Sequence, residues 1–136
     1  MQTDLSQKHP LRVFLVEDLP VVRNRVIESL QEIEGVEVAG YAEGEDSALS
    51  WLKSHACDVL IVDLQLSQGN GLGVLQHMNG HGGSGSRRPV KIVYSNHVSA
   101  NIRRLASQFG AAYFFDKTLD TPKLRGLLED LSGAQH

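Results

Sequence analysis

The sequence predicts an α/β fold: one five-stranded parallel sheet in the order 2-1-3-4-5, with helices on both faces. Two observations carry that prediction. Five short apolar runs, rich in valine and isoleucine, recur along the 136 residues, and the segments between them change to the period of a helix. Alternation of this kind demands parallel strands with right-handed crossovers, which puts helices on both faces. An eight-fold barrel needs about 250 residues and is excluded by length.

Each element follows in turn. Leu11–Val16 is almost continuously apolar, as a strand buried on both faces requires. Val22, Val26, Leu30 and Ile33 mark the first helix. Val36–Ala42 is the second strand, and Ala48, Leu49 and Leu52 mark a shorter helix after it. Asp58–Val62 forms the third strand, with Leu72, Leu75 and Met78 on the helix that follows. Val90–Tyr94 is the fourth. Val98, Ile102, Leu105 and Phe109 mark its helix, which Gly110 should stop. Ala111–Phe115 is the fifth strand. Leu124, Leu127, Leu128 and Leu131 mark the last helix, with Thr121 as N-cap and Pro122 in the first turn. Residues 11–131 therefore read as a single domain, between short tails at 1–10 and 132–136.

Composition is that of an ordinary globular chain, 41% apolar and 21% charged. A net charge of −3 offers no reason to expect nucleic acid or an anionic membrane as partner. Cys57 is the one cysteine, so it has no partner for an internal disulfide and reads as a small buried residue. Met1 to Pro10 is polar, and no run approaches the roughly 18 apolar residues of a membrane span. A cytoplasmic location is expected.

The glycine-rich segment Asn79–Pro89 contains G-x-G-x-x-G at Gly80, Gly82 and Gly85. A dinucleotide-binding fingerprint follows a strand and opens a helix; this one follows a helix and leads into a strand, so a loop is expected. His77 and His81 have metal-like spacing, but Gly80 is expected to break the helix between them.

In open α/β sheets ligands bind outside the carboxyl ends of the strands, near the switch in strand order. The first strand ends in Glu17-Asp18, the third in Asp63, the fourth in Ser95, and the fifth runs into Lys117. Singly, each has an ordinary explanation; Asp18 before Leu19-Pro20, for example, suits a helix N-cap. Together they bring three carboxylates, a hydroxyl and an ammonium to one edge. Converging carboxylates repel unless a cation neutralises them, and oxygen ligands favour hard Mg²⁺. A carboxylate can be a phosphoryl acceptor, while the metal, a lysine and a serine hydroxyl stabilise the charge on the moving group.

These residues resemble the CheY-like receiver family of response regulators, from about Leu11 to Leu131. The family has an acidic pair after its first strand, a phospho-acceptor after the third, a Ser/Thr after the fourth and a lysine after the fifth. Glu17-Asp18, Asp63, Ser95 and Lys117 match in type and order, and Gly71 stands eight residues after Asp63 as the family's glycine does. The resemblance implies a phospho-accepting receiver of a two-component system or phosphorelay, a signalling domain rather than an enzyme. A sensor histidine kinase or histidine phosphotransfer protein would donate to Asp63, and the receiver would assist the transfer. The backbone carbonyl of Gln65 would join Glu17, Asp18 and Asp63 around Mg²⁺. Ser95 and Phe114 would form the switch that alters the affinity of the helix 4, strand 5 and helix 5 surface for another protein.

The match has departures. Asn96 stands where the family has a very small residue and is expected to narrow access to Asp63. Ser67 and Thr118 replace two common prolines, and Gln65 and His97 sit where the family tunes the phosphoryl lifetime. A stand-alone receiver is expected, with output through a protein partner or a relay. The serious rival is a receiver-like interaction module that is not phosphorylated. A haloacid-dehalogenase phosphatase is disfavoured because Gln65 stands where its second aspartate belongs. A flavodoxin-like phosphate binder is disfavoured because Glu17-Asp18 would repel phosphate without a metal.

Overall fold

The structure is a computed structural model and describes residues 9–81 and 88–133. One parallel sheet carries strands β1 (Leu11–Val16), β2 (Val36–Ala42), β3 (Val59–Val62), β4 (Val90–Tyr94) and β5 (Ala111–Phe115), in the order β2-β1-β3-β4-β5. Helices α1 (Pro20–Gln31), α2 (Glu45–Ser54), α3 (Gly71–His81), α4 (Ala100–Gln108) and α5 (Thr121–Gly133) alternate with them. This is the predicted doubly wound α/β fold.

Strand pleating sorts the core into two layers. Phe14, Val16, Leu60, Val62 and Val93 face the layer that contains Ala48 and Leu52 of α2, Val74, Leu75 and Met78 of α3, and Ala106 of α4. Val13, Leu15, Val59, Ile61, Ile92 and Tyr94 face Val26 and Leu30 of α1 and Leu124 and Leu128 of α5. All four residues of β3 are fully buried, which explains their unbroken apolar run.

Local chemistry sets the ends of the helices. Pro20 opens α1, where its missing N–H costs nothing. Ser99 caps α4 by accepting the Ile102 amide at 3.2 Å. Gly110, at φ 97°, ends α4 in the left-handed region that favours glycine.

Several expectations need correcting. The third strand starts at Val59, although the Asp58 amide still bonds to the Arg12 carbonyl at 2.8 Å. Val98 precedes α4, which begins at Ala100. Thr121 does not cap from outside. It is the first residue of α5, its hydroxyl donating to the Lys117 carbonyl at 3.0 Å and paired with the Tyr94 hydroxyl at 2.7 Å. Gly80 does not break α3, which runs through it to His81; one glycine costs about 1 kcal/mol, less than a packed helix loses by stopping early. Gly82 and Gly85 lie outside the described residues. Cys57 is buried in the α2–α3–α4 layer as expected.

Register is what positions the site. Val16 pairs with Val62, Val62 with Val93, and Tyr94 with Phe115. The residues that follow these strands therefore emerge together at one edge. The order of the sheet reverses between β1 and β3, which leaves a crevice where Glu17 and Asp63 emerge.

Candidate functional site

Backbone hydrogen bonds continue the sheet one residue past its strands and aim the first side chains. The Asp63 amide bonds to the Val16 carbonyl, and the Glu17 amide to the Ala42 carbonyl, both at 3.0 Å. The Ser95 amide bonds to the Phe115 carbonyl at 3.0 Å. Gly71 then lets α3 start tightly behind Asp63, because a side chain there would run into the Asp63 carbonyl oxygen.

Asp63 is the centre of the site and is only 5% exposed. Its Oδ1 accepts the Ser95 hydroxyl at 2.6 Å and the Gln65 amide at 2.9 Å. Its Oδ2 accepts the Lys117 ammonium at 2.6 Å. Lys117 also pairs with Glu17 Oε1 at 2.5 Å, so one cation bridges two buried carboxylates. Glu17 Oε2 accepts the Leu19 amide at 3.1 Å.

Asp18 reaches across the crevice to accept the Ser67 amide at 2.9 Å. It does not cap α1, whose N-cap is Leu19. One carboxylate oxygen from each of Glu17, Asp18 and Asp63 lies within 4.8 Å of the other two. Hard oxygen donors gathered this closely fit Mg²⁺ or a similar divalent ion.

Electrostatics follow from burial. Desolvation raises the Glu17 carboxyl above its ordinary value, against the pull of Lys117 and the Leu19 amide. Desolvation also works against the Lys117 ammonium, yet hydrogen bonds to Asp63 and Glu17 outweigh it and raise Lys117. The lysine is thus held charged, in contact with Asp63 Oδ2.

Phe114 is half-buried on β5, and the Arg103 guanidinium lies 4.5 Å from its ring centroid. Ser95, Phe114 and Arg103 line one small cleft between α4 and β5. At the rim the Thr118 hydroxyl donates to Asn96 Oδ1 at 3.3 Å, joining two loops beside the site. His97 takes a left-handed φ of 57°, an uncommon conformation for a non-glycine residue.

Two supports escaped the sequence reading. Glu45, at the start of α2, accepts the Asn70 amide at 3.0 Å and steadies the loop after Asp63. Arg23 is buried against the loop that carries Glu17. It had a signal: it stands three residues before Val26 and seven before Leu30, so a charge lies on the apolar stripe of α1.

The family model for the response regulator receiver domain matches residues 13–129. Response regulator UvrY of Escherichia coli is 28% identical over 108 residues, covering 79% of this chain and 47% of that protein. Protein-glutamate methylesterase/protein-glutamine glutaminase 2 of Koribacter versatilis is 31% identical over 110 residues, 79% of this chain and 29% of that protein. The chain spans about half the length, or less, of these curated relatives. The signal receiver domain of the response regulator NarL from Mycobacterium tuberculosis superposes with TM-score 0.79 at 25% identity, covering 92% of this chain and 98% of that one. The response regulator domain of Thermotoga maritima CheB superposes with TM-score 0.76 at 19% identity, over 93% and 96%. At that identity the second likeness speaks for the fold.

Proposed function

The chain belongs to the response regulator receiver family, and from that premise we propose that Asp63 is the residue that accepts the phosphoryl group. One observation carries the assignment: Ser95 and Lys117 both hydrogen-bond the Asp63 carboxylate, beside two further acids. A phosphohistidine on a sensor kinase or phosphotransfer protein is the donor. An Asp63 oxygen forms the new P–O bond as the N–P bond breaks, and the electron pair of that bond stays on the imidazole.

The carboxylates of Glu17, Asp18 and Asp63, with the backbone carbonyl of Gln65, would hold Mg²⁺. When bound, Mg²⁺ supplies charge neutralisation for the transferring phosphoryl oxygens. Lys117 places a fixed positive charge against Asp63 Oδ2. Ser95 gives up its bond to Asp63 and donates to a phosphoryl oxygen instead, and Phe114 follows into the cleft behind it. The α4–β5–α5 surface then changes its affinity for a protein partner, in a cytoplasmic relay. Asn96, tied to Thr118 at the rim, narrows the approach of small donors.

No helix among the described residues is long and apolar enough to cross a membrane. Intact mass spectrometry after incubation with Mg²⁺ and acetyl phosphate or phosphoramidate tests the assignment. A phosphoryl adduct is expected on the wild type and absent from Asp63→Asn. If small donors and phosphorylated kinases alike leave no adduct, the domain is a constitutive binding module instead.

A further inference from the structure

Arg23 is a buried charge that the phosphoryl chemistry does not use. It lies in the first turn of α1 and is 6% exposed. Both facts weigh against it as a stabiliser, since a buried cation loses hydration and the positive end of a helix dipole repels it. Its ion pair with Glu43 is a weak reason for its presence, because the Glu43 side chain is 62% exposed and such pairs contribute little. Its Nε has no hydrogen-bond partner among the described residues, an added cost of burial. An apolar side chain would pack there more favourably.

What an apolar side chain would not do is join two loops. Arg23 Nη1 donates to the backbone carbonyl of Glu17 at 3.3 Å and to Glu43 Oε2 at 3.0 Å. The guanidinium lies 4.5 Å from the centroid of the Tyr41 ring, which fixes its plane. Glu17 is therefore gripped at both ends: Lys117 and the Leu19 amide hold its carboxylate, and Arg23 holds its carbonyl. Asp18 is the next residue along, so its direction depends on the same peptide.

We propose that Arg23 is a positioning residue that ties the β1–α1 loop to the β2–α2 loop, so that Glu17 and Asp18 present their carboxylates before a divalent cation arrives. This rests on Glu17, Asp18 and Asp63 being the Mg²⁺ ligands. Side chains that orient ligands in this indirect way change metal affinity by about 10- to 100-fold when replaced.

Mg²⁺ titration of the whole chain, followed by backbone amide NMR shifts, tests it alongside thermal unfolding in EDTA. Arg23→Gln is expected to weaken Mg²⁺ binding about tenfold. Arg23→Lys should lose less, since an ammonium keeps the charge but not the two-way reach. Glu43→Gln, at an exposed residue, should stay folded and lose a smaller factor. Wild-type affinity in Arg23→Gln, with only a lower unfolding temperature, overturns the proposal. Should Arg23→Gln fail to fold, Arg23→Lys decides: weaker binding supports the proposal and unchanged binding overturns it. Absence of saturable, Asp18-dependent Mg²⁺ binding in the wild type defeats the ligand assignment itself, and the proposal with it.

Discussion

The two edges of the sheet bury ionisable groups in opposite ways. At the carboxyl edge Glu17, Asp63 and Lys117 are packed into mutual contact, and the lysine is held charged. At the amino edge Cys57 and Lys91 are buried, and desolvation is the largest influence on each. Desolvation pushes the Cys57 thiol up to about 12 and pulls the Lys91 ammonium down. Burial drives weakly paired groups toward neutrality, whereas opposite charges in contact hold each other charged. Glu17 stands between these cases: burial raises it despite Lys117.

The largest expected effect comes from removing the cation that bridges Glu17 and Asp63. Lys117→Met leaves Glu17 and Asp63 buried and unpaired, and should lower stability by about 3 kcal/mol in EDTA. Urea unfolding measures it, and saturating Mg²⁺ should return part of the loss. An unchanged midpoint would mean that the two edges do not differ in this way.

Mg²⁺ should stabilise the wild type by about 2.7 kcal/mol at one hundred times its dissociation constant, by mass action on the folded state. Asp18→Asn should reduce that gain sharply. Lys91→Met, at the other edge, should leave it intact. Equal responses of the two variants in a melting series would remove the distinction.

The amino edge should show itself at alkaline pH. Cys57 is raised from 9.0 to about 12 on folding, so its neutral thiol favours the folded state fully below pH 9. That contribution is lost progressively as pH rises from 9 toward 12. The difference between wild type and Cys57→Ala in denaturant unfolding across that range isolates it. The smallest effect expected is from Lys91→Met, which should gain about 1 kcal/mol at neutral pH by removing an ammonium that burial disfavours. A loss of stability there would show that Lys91 has a compensating partner.

Much of this architecture is legible in the sequence because its signals are local. A buried parallel strand is a short apolar run, so four of the five expected strand ranges match the structure and the third differs only at Asp58. Gly110 ends α4 because the need for a left-handed residue is decided within one turn. Gly80 misled because a glycine signals a break locally, whereas α3 is held by Val74, Leu75 and Met78 in the core. Asp18 could pass for a cap until the fold supplied a better partner, the Ser67 amide, 49 residues away.

By itself the sequence determined the strand–helix alternation, and through it which residues stand at the carboxyl ends of the strands. Those facts rest on periodicity and on the handedness of crossovers, which each stretch of chain carries alone. Tertiary structure alone decided how the residues meet: Lys117 bridging Glu17 and Asp63, Arg23 gripping the Glu17 carbonyl, Arg103 lying over Phe114. Lys117 and Asp63 are 54 residues apart, and no local pattern encodes a contact made only when the sheet sets its register.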